Sequence, residues 1–175
     1  MSKQTLFLLP GLLCDVTTFE QQRAALAAEY DVRTLDFFGL DSMQAMAERV
    51  FAQAPGKFSV CGFSMGGRVA LQMMRMAPQR IERLCLLDTA VTAAGPGEPA
   101  ARQPLIDVAT TKGMAALADA WLPPMVHPAR RNETFLAPLK AMVCRATPDI
   151  YVGQIRALLG RLDTTPLLPG FRLPV

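Results

Sequence analysis

The 175-residue sequence has one histidine, one tryptophan and two tyrosines. A single histidine leaves one candidate, His127 in "WLPPMVHPARR", for chemistry that needs an imidazole near neutral pH. The four cysteines, Cys14, Cys61, Cys85 and Cys144, are far apart and show no CxxC spacing, which argues against a disulfide framework or a metal site. They sit mostly in apolar runs such as "VCGF" and "RLCLLD", so buried, reduced thiols in a reducing, cytoplasmic compartment are expected. Charge of one sign is scarce too: 18 basic against 15 acidic residues give +3, and no basic block is longer than Arg130-Arg131. Nucleic acid is therefore not an expected partner. No apolar run reaches the roughly 18 residues that a membrane span needs. The start, "MSKQTLFLLPGLLC", fails as a signal or lipoprotein segment because Pro10-Gly11 interrupts it and bulky Leu13 precedes Cys14. GxGxxG fingerprints, Walker loops, zinc spacings and paired carboxylates are missing, so no cofactor and no metal is expected.

What is present is a globular composition, 51% hydrophobic and 19% charged, with strand-like and helix-like segments alternating along the first half. "TLFLLPG", "DVRTLDF", "KFSVCGFS" and "IERLCLLDTA" read as strands. Between them, "FEQQRAALAAEY", "DSMQAMAERVFAQA" and "MGGRVALQMMRMAP" read as helices, the second framed by Asp41-Ser42 and Pro55-Gly56. This alternation predicts an α/β fold: a doubly wound parallel sheet of four strands, covered on both faces. From about Val91 the character changes. "TAAGPGEPAARQP" reads as an exposed connection, and shorter amphipathic helices from Leu105 to Leu162 read as a helical cap. The expected division is a core over 1–95, a cap over 96–165, and a linker over 166–175 whose "RLPV" resembles the entry to a further strand. The unpaired edge of the fourth strand would then favour aggregation or self-association.

Gly62-Phe63-Ser64-Met65-Gly66 places a serine between glycines, after a strand and before a helix. A nucleophile exposed on such a turn has a strained backbone, and its flanking positions must be free of side chains so that strand and helix can approach. Gly62, Gly66 and Gly67 meet that need; the alternative is a small residue filling a tight corner. The helix start behind Ser64 offers unpaired N–H groups to a developing oxyanion, first that of Met65. The loop after the first strand opens at the same carboxyl edge and brings the Leu12 N–H as a second donor.

With these residues in place, "LFLLPGLLCD", "VRTLDFFG" and "FSVCGFSMGGRVALQMMRMAPQRIERLCLLDT" resemble the α/β-hydrolase fold family, in its bacterial esterase-like branch. The resemblance extends more weakly through the cap and "TPLLPGFRLPV". It implies a strand order of 2-1-3-4, and hydrolysis of a small carboxylic ester or related acyl compound by a Ser64 nucleophile, with Met65 and Leu12 holding the oxyanion. Pro10 stands where the family commonly has the histidine of its oxyanion loop. The family carries its triad acid and histidine after strands that this sequence does not contain, so an incomplete, truncated fold is expected. The rival reading is a catalytically inactive fragment or non-enzymatic remnant.

Partners for Ser64 within the chain are few. His127 is either the base or a surface histidine between prolines, and Asp88, ending the fourth strand, is either the triad acid or a loop-capping residue. Asp36 and Asp15 are expected to cap the turns that follow them. Met73, Met74 and Met76 are expected to pack rather than bind metal. Phe37-Phe38 and Trp121-Leu122 could line an acyl pocket, with core packing as the other use.

Overall fold

The structure is a computed structural model and describes residues 3–54 and 56–175. Its sheet has four parallel strands, β1 (Gln4–Leu9), β2 (Tyr30–Thr34), β3 (Phe58–Phe63) and β4 (Ile81–Leu87), in the order β2-β1-β3-β4. The 2-1-3-4 order expected from the sequence is the observed one. The crossovers carry α1 (Glu20–Leu26), α2 (Met43–Gln53) and α3 (Met65–Met76). Ser42 caps α2 by accepting the Ala45 N–H at 3.2 Å. Pro55, half of the expected stop after α2, lies outside the described residues, as do the first two residues of the rejected signal segment.

The core lies between the sheet and α2 and α3. Phe7 and Phe58 meet edge to face with centroids 5.3 Å apart, Phe51 joins them at 6.1 Å, and Met46, Val50, Val69 and Met73 are fully buried around them. The opposite face is covered only in part, which corrects the expectation of full cover. Beside the α1 region, Leu6, Leu8, Cys61, Cys85 and Leu87 line an open groove of about 370 Å³. The thiols are corrected with it. Cys85 and Cys144 are exposed and Cys14 and Cys61 are half-buried, because Cys61 and Cys85 face this groove and Cys144 follows the last residue of α5 (Glu133–Val143). Cys61 is pushed up to about 12 by burial and by neighbouring Cys85. Of the three methionines, Met73 and Met74 are buried and Met76 is exposed.

Beyond β4, α4 (Glu98–Met125), α5 and α6 (Pro148–Leu159) pack on one another over the carboxyl edge of the sheet. Here too the sequence expectation needs correcting. Helix begins at Glu98, inside the stretch read as a connection, because Pro99 falls in the first turn, where its missing N–H is harmless. Arg102 one turn on pairs with Glu98 at 2.6 Å. Gly113, at φ 84°, breaks α4 in two. After α6, Thr165–Gly170 forms a 3₁₀ turn, and the Pro174 carbonyl then accepts the Leu84 N–H at 3.0 Å, so the tail reaches the free edge of β4.

Candidate active site

The elbow is built from backbone. Ser64, the N-cap of α3, has φ 51° and ψ −112°, a conformation costly for a residue with a Cβ and sustained only when neighbours hold it. They do so from β4 and the turn beyond it. The Ser64 N–H donates to the Leu87 carbonyl at 2.9 Å, and the Thr89 hydroxyl donates to the Ser64 carbonyl at 2.7 Å. The glycines are there for space. A Cβ on Gly62 would stand 2.4 Å from the Gly66 carbonyl oxygen, and one on Gly66 would stand 2.1 Å from that of Leu9. At Gly67 it would meet the Thr89 side chain at 2.7 Å. The strand, the helix and the loop after β1 therefore touch at backbone distance. The turn at Ser64 is strained and packed at backbone distance, as its flanking glycines imply.

The loop after β1 faces the elbow. Its Gly11–Cys14 turn is closed by the Cys14 N–H donating to the Gly11 carbonyl at 3.1 Å, and Leu13 takes φ 57°. The N–H of Leu13 donates at 2.8 Å to the side-chain oxygen of Gln154, which is fully buried on α6. Sequence reasoning missed Gln154. The signal was a lone amide on an otherwise apolar stripe, with Tyr151, Ile155 and Leu158 at helical spacing. Thus the cap pins the loop that carries Leu12. The Met65 N–H, at the first position of α3, is one of those a helix leaves unused.

Above Ser64 lies a cavity of about 430 Å³ lined chiefly by apolar groups, among them Leu12, Phe63, Trp121, Leu122, Leu139 and Met142. Trp121 and Leu122 thus line the pocket that sequence reasoning allowed them, whereas Phe37 is in the core and Phe38 packs against it. His127 also lines this cavity, but it is exposed, and its Nδ1 accepts the Ala129 N–H at 3.3 Å. Among the described residues no hydrogen bond joins it to Ser64. Asp88 follows β4 at φ 44° beside the elbow and is exposed, and the cavity lining does not include it. Asp36 caps its own turn through the Phe38 N–H at 3.0 Å. Asp15 accepts the Thr17 N–H at 2.9 Å and pairs with Arg145 at 2.6 Å. Burial opposes its ionisation, yet Arg145 and Thr17 outweigh that and hold it below the usual carboxylate range. Cys14, also on the cavity wall, is kept a thiol because burial pushes it up.

At the base of the cap, Glu98 is held at about 2 by Arg161 and then Arg102, against its own burial. Arg161, with only 7% of its side chain exposed, spans from Glu98 at 2.7 Å to the Thr92 carbonyl at 3.0 Å. Together these bonds fasten the first turn of α4 to the loop after α6. Among the described residues there is no helix long and apolar enough to cross a membrane, and no group of three or more metal-ligating side chains.

No family profile matches the chain. Over 48 residues it is 44% identical to a pimeloyl-[acyl-carrier protein] methyl ester esterase of Nitrosomonas europaea, a match covering 27% of this chain and 19% of that protein. In structure it is similar to a thermophilic esterase from Thermogutta terrifontis, with TM-score 0.86 and 24% identity over 99% of this chain and 70% of that one. An enol-lactonase from Burkholderia xenovorans LB400 is similar at TM-score 0.83 and 24% identity, over 99% of this chain and 71% of that one. The described chain thus spans about seven-tenths of the length of these solved structures. With the 2-1-3-4 sheet, the strained serine and the helices above it, these likenesses show that the chain has the α/β-hydrolase fold and matches esterase-like members of that superfamily over part of their length.

Proposed function

We propose that the chain forms the nucleophile, oxyanion and acyl-pocket portion of a serine hydrolase acting on small carboxylic esters. The observation that carries this reading is the strained Ser64 backbone, locked by Leu87 and Thr89 beneath an apolar cavity. In the reaction, Ser64 Oγ attacks the ester carbonyl carbon and gives its proton to a base. The oxygen of the tetrahedral intermediate takes hydrogen bonds from the N–H groups of Met65 and Leu12. The C–O bond then breaks, the alcohol leaves with the proton, and water hydrolyses the acyl-serine. The partly matched relatives, esterases by description, support the substrate class.

For the chain by itself a second reading is better supported: it is a catalytically inactive fragment or non-enzymatic remnant that binds at most an apolar ligand under the cap. It rests on Ser64 Oγ having no hydrogen-bonded base among the described residues, while His127 Nδ1 is engaged by Ala129. Without a base, the oxyanion hole and binding leave on the order of 10³ to 10⁴-fold acceleration over water. The two readings separate in the hydrolysis of p-nitrophenyl butyrate. Sustained release that disappears in Ser64→Ala supports the hydrolase. No release beyond that residual acceleration supports the second reading. Release faster than that and unaffected by Ser64→Ala would sink both.

A further inference from the structure

The cavity over Ser64 has a polarity along its length. Ser64 in its lining is half-buried, most of the lining is apolar, and exposed His127 and Arg130 stand at the two ends of one short 3₁₀ turn, His127 capping Pro128–Arg130. Arg130 alone among the lining residues carries a permanent charge, and no carboxylate lines the cavity. Elsewhere in the cap Lys140 pairs with Asp119 at 2.6 Å and Arg145 with Asp15 at 2.6 Å, while Arg131 donates to the Val126 carbonyl at 2.8 Å. Arg130 belongs to none of the ion pairs formed among the described residues. Its guanidinium instead lies 5.9 Å from the centroid of the Phe135 ring, a cavity-lining aromatic that is itself 38% exposed. Stacking of this kind orients the planar fork without using its N–H donors. His127 adds one more donor. With Nδ1 accepting from Ala129, the neutral ring carries its proton on Nε2.

We infer that Arg130 is a specificity-determining residue and that the preferred ligand is an ester with an anionic group, carboxylate or phosphate, separated from the scissile carbonyl by an apolar segment. This deepens the reading of the cavity as an acyl site and rests on it. A neutral ester would fill the apolar walls and leave the guanidinium to water. An ω-anionic ester places its charge on a planar fork whose geometry matches carboxylate and phosphate oxygens in pairs.

The chain supplies its own reporter, because Trp121 is the single tryptophan and lines the cavity. Its fluorescence reads binding without any need for turnover. Titrations would compare monomethyl hexanedioate, the methyl ester of ω-phosphohexanoic acid, and neutral methyl hexanoate. One or both anionic esters are expected to bind about fivefold tighter than the neutral one, as an exposed to half-exposed ion pair allows. The stronger of the two identifies the source of the anion. Arg130→Gln is expected to remove the preference while leaving affinity for methyl hexanoate unchanged, and Arg130→Lys to restore part of it. Equal binding of all three esters, or a preference that survives in Arg130→Gln, would overturn the inference. Acylation of Ser64 is scored separately. If Ser64 never reacts but the Arg130-dependent preference stands, the catalytic reading alone fails; if Ser64 reacts and no preference exists, this one does.

Discussion

The elbow and the cap are built from different materials. Around Ser64 the contacts are backbone on backbone: Gly66 against the Leu9 carbonyl, the Ser64 N–H on the Leu87 carbonyl, and Gly62 against the first turn of α3. In the cap the contacts are made by side chains, such as Gln154 on Leu13, Arg161 on Glu98 and Trp121 on the cavity wall. A backbone-built site tolerates no added atom but is indifferent to neighbouring chemistry. A site built from side chains can be retuned one residue at a time, which suits the part that faces substrate.

That contrast is testable first where the effect should be largest. Gly66→Ala would force a Cβ onto the Leu9 carbonyl, so a loss of about 3 kcal/mol or more is expected, read as a lowered denaturation midpoint together with loss of Ser64 reactivity. Next is Glu98→Gln, which leaves buried Arg161 without its carboxylate and should lower stability at neutral pH by about 2 kcal/mol. The sign with pH follows from the depressed Glu98 value. Its contribution is complete above the ordinary carboxylate pKa near 4.5 and fades as pH falls towards about 2. Glu98→Gln should remove that portion of the acid loss, a difference visible in melts across this range.

Gln154→Leu is expected to cost about 1–2 kcal/mol by stranding the Leu13 N–H, and to slow acylation of Ser64 more than it weakens ester binding, since it loosens the loop carrying the Leu12 N–H and leaves the cap side of the cavity wall in place. An equal change in both would mean that Gln154 only packs. The smallest effect concerns the open face of the sheet. Cys85 and Cys144 should alkylate at the rate of exposed thiols and Cys61 much more slowly at pH 8, since its value lies near 12, with no change in Ser64 reactivity. Rapid modification of Cys61 would contradict the thiol pairing across β3 and β4.

The same division explains what the sequence disclosed. Gly62, Gly66 and Gly67 are legible because only glycine satisfies such approaches, and the parallel sheet followed from the alternation of β and α segments, its order from the resemblance. Gln154 was not legible, since its partner, the Leu13 N–H, is 141 residues away and backbone donors leave no trace in composition. The start of α4 was misread because Gly95, Pro96, Gly97 and Pro99 outweighed the Glu98–Arg102 spacing. Cys85 was misplaced for another reason. An apolar run such as "RLCLL" implies burial only if both faces of its strand are covered, and here the groove leaves one open.

The strained turn at Ser64 is made by this chain's own backbone, and the proposed function depends on it. Its most direct test is labelling by a fluorophosphonate, with the site mapped by mass spectrometry in the native chain, in Ser64→Ala and in His127→Ala. A single adduct on Ser64 is expected, absent from Ser64→Ala and retained in His127→Ala. No adduct on Ser64 in the folded native chain, or equal labelling of Ser64→Ala, would contradict it.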